Sequence, residues 1–186
     1  MATQTSTQET TRTALQIDPA HSFLEFSGRH MMVSTYKGRF TGVTGTIVLD
    51  QANPADSSVE AVVDATSVYT GSDQRDGHLK SPDFLDIANY PTLTFKSTRV
   101  EPTGTHSGRV TGDLTIRGTT RPITFEVEFF GIEKNPWGAQ VAGFEAKSSF
   151  NRKDFGLAWN APLESGGVLV ADTVKVEIHV EGSAQS

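Results

Sequence analysis

Apolar and polar residues alternate along most of this chain with a period of two, the spacing of a strand with one dry and one wet face. The clearest case is residues 173–181. Val174, Val176, Ile178 and Val180 fall on one face, and Lys175, Glu177 and His179 on the other. Ile123, Phe125, Val127 and Phe129 alternate with Thr124, Glu126 and Glu128. Val110, Gly112, Leu114 and Ile116 alternate with Thr111, Asp113 and Arg117, and Val59, Ala61, Val63 and Ala65 with Glu60 and Asp64. Residues 14–18, 21–27, 40–50, 92–100 and 139–150 complete a set of eight or nine predicted strands. Turn-forming stretches at 50–54, 104–108, 117–122 and 135–138 separate several of them.

Two stretches break the pattern. Residues 70–91 form a long irregular insert between two strands, the kind of connection that tends to carry binding function in compact β domains. Within it, Ser81 followed by Pro82 predicts a helix start, and Tyr90-Pro91 a stop after about Ala88. Residues 151–167 predict a helical turn near Lys153 and then a glycine-rich loop. No internal repeat or second composition regime is present. Residues 1–13 read as a polar tail and residues 14–182 as one domain.

A meander of antiparallel strands closes into a barrel or splits into a sandwich. Ala61, Ala65, Gly112, Ala142 and Ala146 share the predicted inner face with larger residues. Close packing in a sandwich leaves little use for so many small positions, whereas a barrel of about eight strands has room for one small ligand. The expectation is an all-β fold, a single extended antiparallel barrel with short helical inserts.

Composition narrows the partners. The chain has 186 residues, a formal charge of −6 and no cysteine. Net acidity argues against nucleic acid and against electrostatic attachment to an acidic membrane. The missing thiols exclude a disulfide frame, a zinc–thiolate site and a cysteine nucleophile. No apolar run reaches membrane-spanning length, so an integral membrane protein is not expected. Residues 1–13 lack the basic start and apolar run of an export signal, and the expected compartment is the cytoplasm.

The sequence holds no nucleophile elbow, phosphate loop, dinucleotide fingerprint or zinc-protease helix motif. The five histidines, His21, His30, His78, His106 and His179, show no metal-ligand spacing, and no metal is expected. His106 and His179 read as surface residues, and His21 as part of a turn with Asp18 and Ser22. His30 keeps the parity of Leu24 and Phe26, which suits either a satisfied core residue or the polar rim of a cavity. Arg75 and Asp76 suit either a local ion pair or a polar clamp at a cavity mouth.

The ordered series of motifs resembles one family. Asp18-Pro19-Ala20-His21-Ser22 leads to Phe26 and His30, then to Lys37-Gly38-Arg39-Phe40. Arg75-Asp76-Gly77-His78-Leu79 follows with Phe84 and Tyr90-Pro91, then Phe95-Lys96-Ser97. Gly112 to Gly118 and Asn151-Arg152-Lys153-Asp154-Phe155-Gly156 close the series. Together these resemble the YceI-like family of polyisoprenoid-binding proteins over about residues 15–181. The resemblance implies a lipocalin-like barrel whose apolar tunnel holds an isoprenoid or similar long-chain amphiphile, for storage or transport. Many members of the family are periplasmic, in contrast to the absence of an export signal here.

On that reading, Leu24, Phe26, Met32, Phe40, Val63, Phe95, Leu114, Phe125 and Phe144 are expected to line the tail. Leu79, Phe84 and Phe155 would close the ends. His30, Arg75, Asp76 and His78, with Arg152, would face the head group. Gly38, Gly42 and Gly45 are each able to host a bulge that reverses the parity of Phe40. The expected partner is a hydrophobic small molecule, with no cofactor besides it, no nucleic acid, and homodimerisation left open. No catalytic residue is required. The alternative is an enzyme acting on a small lipophilic substrate, with His30 or His78 as base and Asp76 orienting it.

Overall fold

Strands form where the alternation predicts them, and closure of the sheet gives their dry faces an interior to share. The structure, a computed structural model, describes residues 12–184. Its strands are β1 (Arg12–Ile17), β2 (Phe23–His30), β3 (Ser34–Phe40), β4 (Val43–Asp50), β5 (Ser58–Asp64), β6 (Thr92–Pro102), β7 (Ser107–Ile116), β8 (Thr119–Lys134), β9 (Gln140–Asn151) and β10 (Thr173–Ala184). One helix, α1 (Asp73–Lys80), sits between β5 and β6. Short 3-10 turns occur at Pro54–Asp56, Ala65–Ser67 and Arg152–Phe155. Among the described residues no helix is long and apolar enough to cross a membrane.

The hydrogen-bonded order β1-β4-β5-β6-β7-β8-β9-β10 returns to β1, so eight antiparallel strands close a barrel. Closure removes the unpaired edges that an open sheet would expose. One edge of β10 serves two strands in turn. Gly182 to Ala184 pair with Ile17 to Leu15 of β1, and Lys175 to His179 pair with Ser27 to Phe23 of β2. β1 and β2 therefore stand end to end on the same edge, and the β2–β3 hairpin prolongs the wall. The Asp18–Ser22 turn joins them: the Asp18 N–H donates to the Glu181 carbonyl at 2.8 Å, and the buried Ser22 hydroxyl accepts from the Glu181 N–H at 3.1 Å.

The outer face carries opposite charges directly across strands. Arg109 meets Glu126 at 2.8 Å, Arg39 meets Glu25 at 2.9 Å, and Lys96 meets Glu60 at 3.0 Å. Exposed pairs of this kind contribute little energy each, but like charges at these positions would be unfavourable. The inner face buries Leu15, Leu24, Phe40, Val43, Val63, Leu114, Phe125 and Val176 among others.

Several expectations are corrected. The single strand expected over residues 40–50 is two, because the chain breaks at Thr41 and Gly42 between β3 and β4. β3 itself lies where no strand was expected. Met32 does not face the interior. β2 ends at His30, the chain reverses through Met31, Met32 and Val33, and Met32 is 63% exposed. Both methionines adopt left-handed backbone, with φ of 52° and 60°. This turn has no glycine, proline or asparagine to announce it, so parity carried through an unbroken strand places Met32 wrongly. The helix also lies earlier than Ser81. Ser72 accepts from the Arg75 N–H, Asp73 and Asp76 occupy the first turn, and Ser81 is the C-terminal cap. Arg12 and Thr13, expected in the tail, belong to β1; the rest of that tail lies outside the described residues.

Candidate functional site

The interior of the barrel is not filled. A cavity of about 500 Å³ runs inside it, within the range of small-molecule pockets. On β10 the lining residues are Val174, Val176, Ile178 and Val180, the four assigned inward from periodicity. Six residue steps at ~3.3 Å make this line about 20 Å long. The wall is rich in paired aromatic rings. Phe26 and Phe40 lie 5.3 Å apart between centroids, Phe95 and Phe125 5.2 Å, and Phe129 and Phe144 5.1 Å. Of the five small positions assigned inward, Ala61 and Ala146 line the cavity, and Ala65, Gly112 and Ala142 do not.

The two ends differ. At the end formed by the β4–β5 and β6–β7 connections, the lining includes Gln51, Pro54, Thr105 and His106, all exposed. This is the mouth. At the other end the lining includes Val68, Phe84, Leu85 and Leu157, all buried, together with half-buried Leu79. The segment after β5 thus plugs the barrel with its apolar side chains.

Of the expected tail-lining residues, Leu24, Phe26, Phe40, Val63, Phe95, Leu114, Phe125 and Phe144 all line the cavity; Met32 does not. Leu79 and Phe84 lie at the plugged end. Phe155, 1% exposed, stands behind the wall with its ring edge-on to Phe150 at 5.1 Å. It supports a lining residue rather than facing the cavity.

The polar trio of the insert is placed differently from expectation. Arg75, Asp76 and His78 are all on α1, and none lines the cavity. The Asp76 carboxylate accepts the Thr70 N–H at 2.8 Å and the Thr70 hydroxyl at 2.5 Å. Arg75 closes on the same residue, donating to the Thr70 hydroxyl oxygen at 2.9 Å and its carbonyl at 3.0 Å. The pair therefore fastens the start of the insert, and Asp76 orients neither histidine. His78 bonds Asp83 at 2.9 Å, and its ring is edge-on to Phe84 and Trp159 at 5.0 and 4.5 Å. It pins the plug to the loop after β9. His30, half-buried, closes the hairpin against Ser34 and bridges Val170, outside the lining.

Arg152 does line the cavity, at 3% exposure. Its guanidinium donates to the carbonyls of Ala171 at 3.0 Å, Leu157, Trp159 at 2.9 Å and Val170 at 3.3 Å. These bonds gather the 156–172 loop over the barrel end. Among the lining residues that escaped the sequence reading are Tyr36, Asp50 and His106. Tyr36 shares parity with Phe40, but β3 was not recognised as a strand. Asp50 and His106 lie beside turns, where alternation gives no inward or outward assignment.

Comparison with known proteins agrees with this architecture. The YceI-like domain model matches residues 15–182. A UPF0312 protein of Vibrio parahaemolyticus is 40% identical over 163 residues, 88% of this chain and 82% of that protein. The crystal structure of BcnA from Burkholderia cenocepacia superposes with a TM-score of 0.77 at 24% identity, covering 89% of this chain and 98% of that one. A polyisoprenoid binding domain from Saccharophagus degradans, implicated in plant cell wall breakdown, superposes with a TM-score of 0.65 at 18% identity, covering 93% and 99%. Below 25% identity these structural likenesses speak for the fold.

Proposed function

As this chain belongs to the YceI-like domain family, we propose that its barrel binds a polyisoprenoid or similar long-chain amphiphile and stores or carries it. The observation that supports this reading most is the apolar cavity of about 500 Å³ running from an open mouth to a plugged end. Burying ~500 Å² of ligand surface at ~25 cal/mol/Å² favours binding by on the order of 12 kcal/mol before association costs. The tail alone then carries the affinity, and polar groups need only orient the ligand. The likeness in fold to the polyisoprenoid binding domain of Saccharophagus degradans favours the same ligand class. Binding is preferred to catalysis because neither His30 nor His78 lines the cavity and Asp76 is bonded to Thr70. Organic extraction and mass spectrometry of the purified protein test the reading. The expected result is a long-chain amphiphile in near equimolar amount. Protein that is lipid-free and takes up no prenyl or fatty ligand on titration would overturn it.

A further inference from the structure

We propose that the plugged end of the cavity is a subsite for a carboxylate head group, held by the Tyr36 hydroxyl and faced by the Arg152 guanidinium. A long-chain carboxylic acid would then enter head first and leave its tail toward the mouth. This rests on the lipid-binding reading above and adds to it the chemistry and direction of the ligand.

Two polar groups in the same apolar lining have unused capacity. Tyr36 stands on β3 across from Gly28, with its ring edge-on to Phe26 at 6.5 Å. It lines the cavity, and its hydroxyl has no hydrogen-bond partner among the described residues. A half-buried phenol of this kind normally finds a partner. Burial raises its pKa above the ordinary tyrosine value, while the charge of Arg152 pulls it down. The hydroxyl is thus protonated at neutral pH and able to donate, and the field of the guanidinium reaches it.

Arg152 is the second group. Four of the five guanidinium N–H groups meet backbone carbonyls. Those carbonyls satisfy donors, but none supplies a full negative charge. The carboxylate closest to the guanidinium is that of Asp172, 3.9 Å away, partly exposed, and nearer to Lys153 at 3.2 Å. Buried charges are ordinarily paired. An anionic oxygen on the cavity side would pair with the guanidinium more closely than the 3.9 Å contact to Asp172 does.

The number of available donors selects the anion. One hydroxyl and one remaining N–H match the two oxygens of a carboxylate. A phosphate or diphosphate would bring several more acceptors and greater charge into a wall that is otherwise apolar.

The test compares palmitic acid, hexadecanol and methyl palmitate in titrations of the delipidated protein and of its Tyr36→Phe variant. The acid should bind the parent at least about tenfold more tightly than the alcohol or ester. Tyr36→Phe should lower affinity for the acid several-fold more than for the ester, and so remove most of that preference. Palmitate isotope-labelled at the carboxyl carbon gives a second reading in the parent alone, which stands even if the variant fails to fold. Its bound resonance should titrate well below the free acid, because Arg152 favours the ionised form. Equal affinity for all three ligands, a preference that survives Tyr36→Phe, or a bound carboxyl that titrates as in water would overturn the subsite and leave lipid binding intact. Failure of all three ligands to bind would overturn the subsite, and the lipid-binding reading falls with it only if a prenyl alcohol also fails to bind.

Discussion

The ring of Phe26 lies across Gly38, its partner in the β2–β3 register, so closely that a Cβ on Gly38 would overlap the ring. Glycine here is a space requirement of the cavity wall, and Phe26 uses that space to line it. Gly38→Ala should force the ring inward or spread the hairpin, at about 1–3 kcal/mol. Pairing it with Phe26→Leu should recover part of the loss, since the smaller side chain no longer needs the gap. A thermal-unfolding double-mutant cycle checks this, and additive losses would show that the two positions do not share the constraint.

Ala61 lies between Gly45 on β4 and Phe95 on β6 and lines the cavity. In a filled core, Ala61→Phe would overpack and cost about 1–3 kcal/mol. Facing open volume, the new ring gains contacts, so the delipidated protein should melt at the parent temperature or slightly above it. The same ring obstructs the tail, and retention of a long-chain ligand should fall. Melting curves of delipidated parent and variant beside a binding titration measure both effects. A strongly lowered melting temperature would place Ala61 in packed surroundings.

The alternation made the barrel legible. Parity alone set the inward faces of β5, β7, β8 and β10, because a strand with one wet face has no other way to bury its apolar residues. Seven of the nine tail residues line the cavity for this reason, and Phe40 lines it from a strand that parity did not reveal. What escaped was non-periodic. The methionine turn at residues 31–33 carries no turn chemistry, so it hid the end of β2, the whole of β3 and the inward position of Tyr36. The insert after β5 showed its charges in the sequence but not their partners. Only tertiary structure reveals that Thr70 takes up both Arg75 and Asp76. Likewise, the Asp18–Ser22 motif reads as a turn in sequence, and its use in joining β1 and β2 on β10 appears only with the pairing.

Those partners change what an insert mutation should do. Asp76 is buried, and Asp76→Ala leaves both the N–H and the hydroxyl of Thr70 without their acceptor. Thr70 is only half-buried and water can replace part of the loss, so thermal stability should fall by about 1 kcal/mol, the low end of the cost of an unmade bond at a buried donor. Asp76→Asn keeps an acceptor oxygen and should lose less. Ligand preference among acid, alcohol and ester should match the parent in both variants. A change in preference without a loss of stability would return Asp76 to the head-group site.

The Asp18–His21 pair gives a pH dependence whose sign is fixed. The His21 Nδ1 lies 2.7 Å from an Asp18 oxygen and 3.7 Å from Glu181. The hydrogen bond to Asp18, followed by the charge of Glu181, raises the imidazole above its ordinary value. The same bond, followed by the N–H of Ala20, lowers the Asp18 carboxyl. A raised histidine stabilises the fold fully below its unfolded value of ~6.5, and that stabilisation is lost as pH rises through the raised value. A lowered carboxyl stabilises above its unfolded value of ~3.9, and that part is lost as pH falls through the depressed value. The interaction is therefore complete only between these limits, and it weakens toward alkaline pH first through His21. His21 is solvent-exposed and Asp18 half-buried, so the effect on melting is small and is best read at the imidazole itself. In an NMR titration, the His21 midpoint should lie above the ordinary histidine value. Asp18→Asn should bring it down further than Glu181→Gln does, because the direct hydrogen bond outweighs the more distant charge. An unchanged midpoint in Asp18→Asn would mean that the turn joining β1 to β2 is held by its backbone bonds and Ser22 alone.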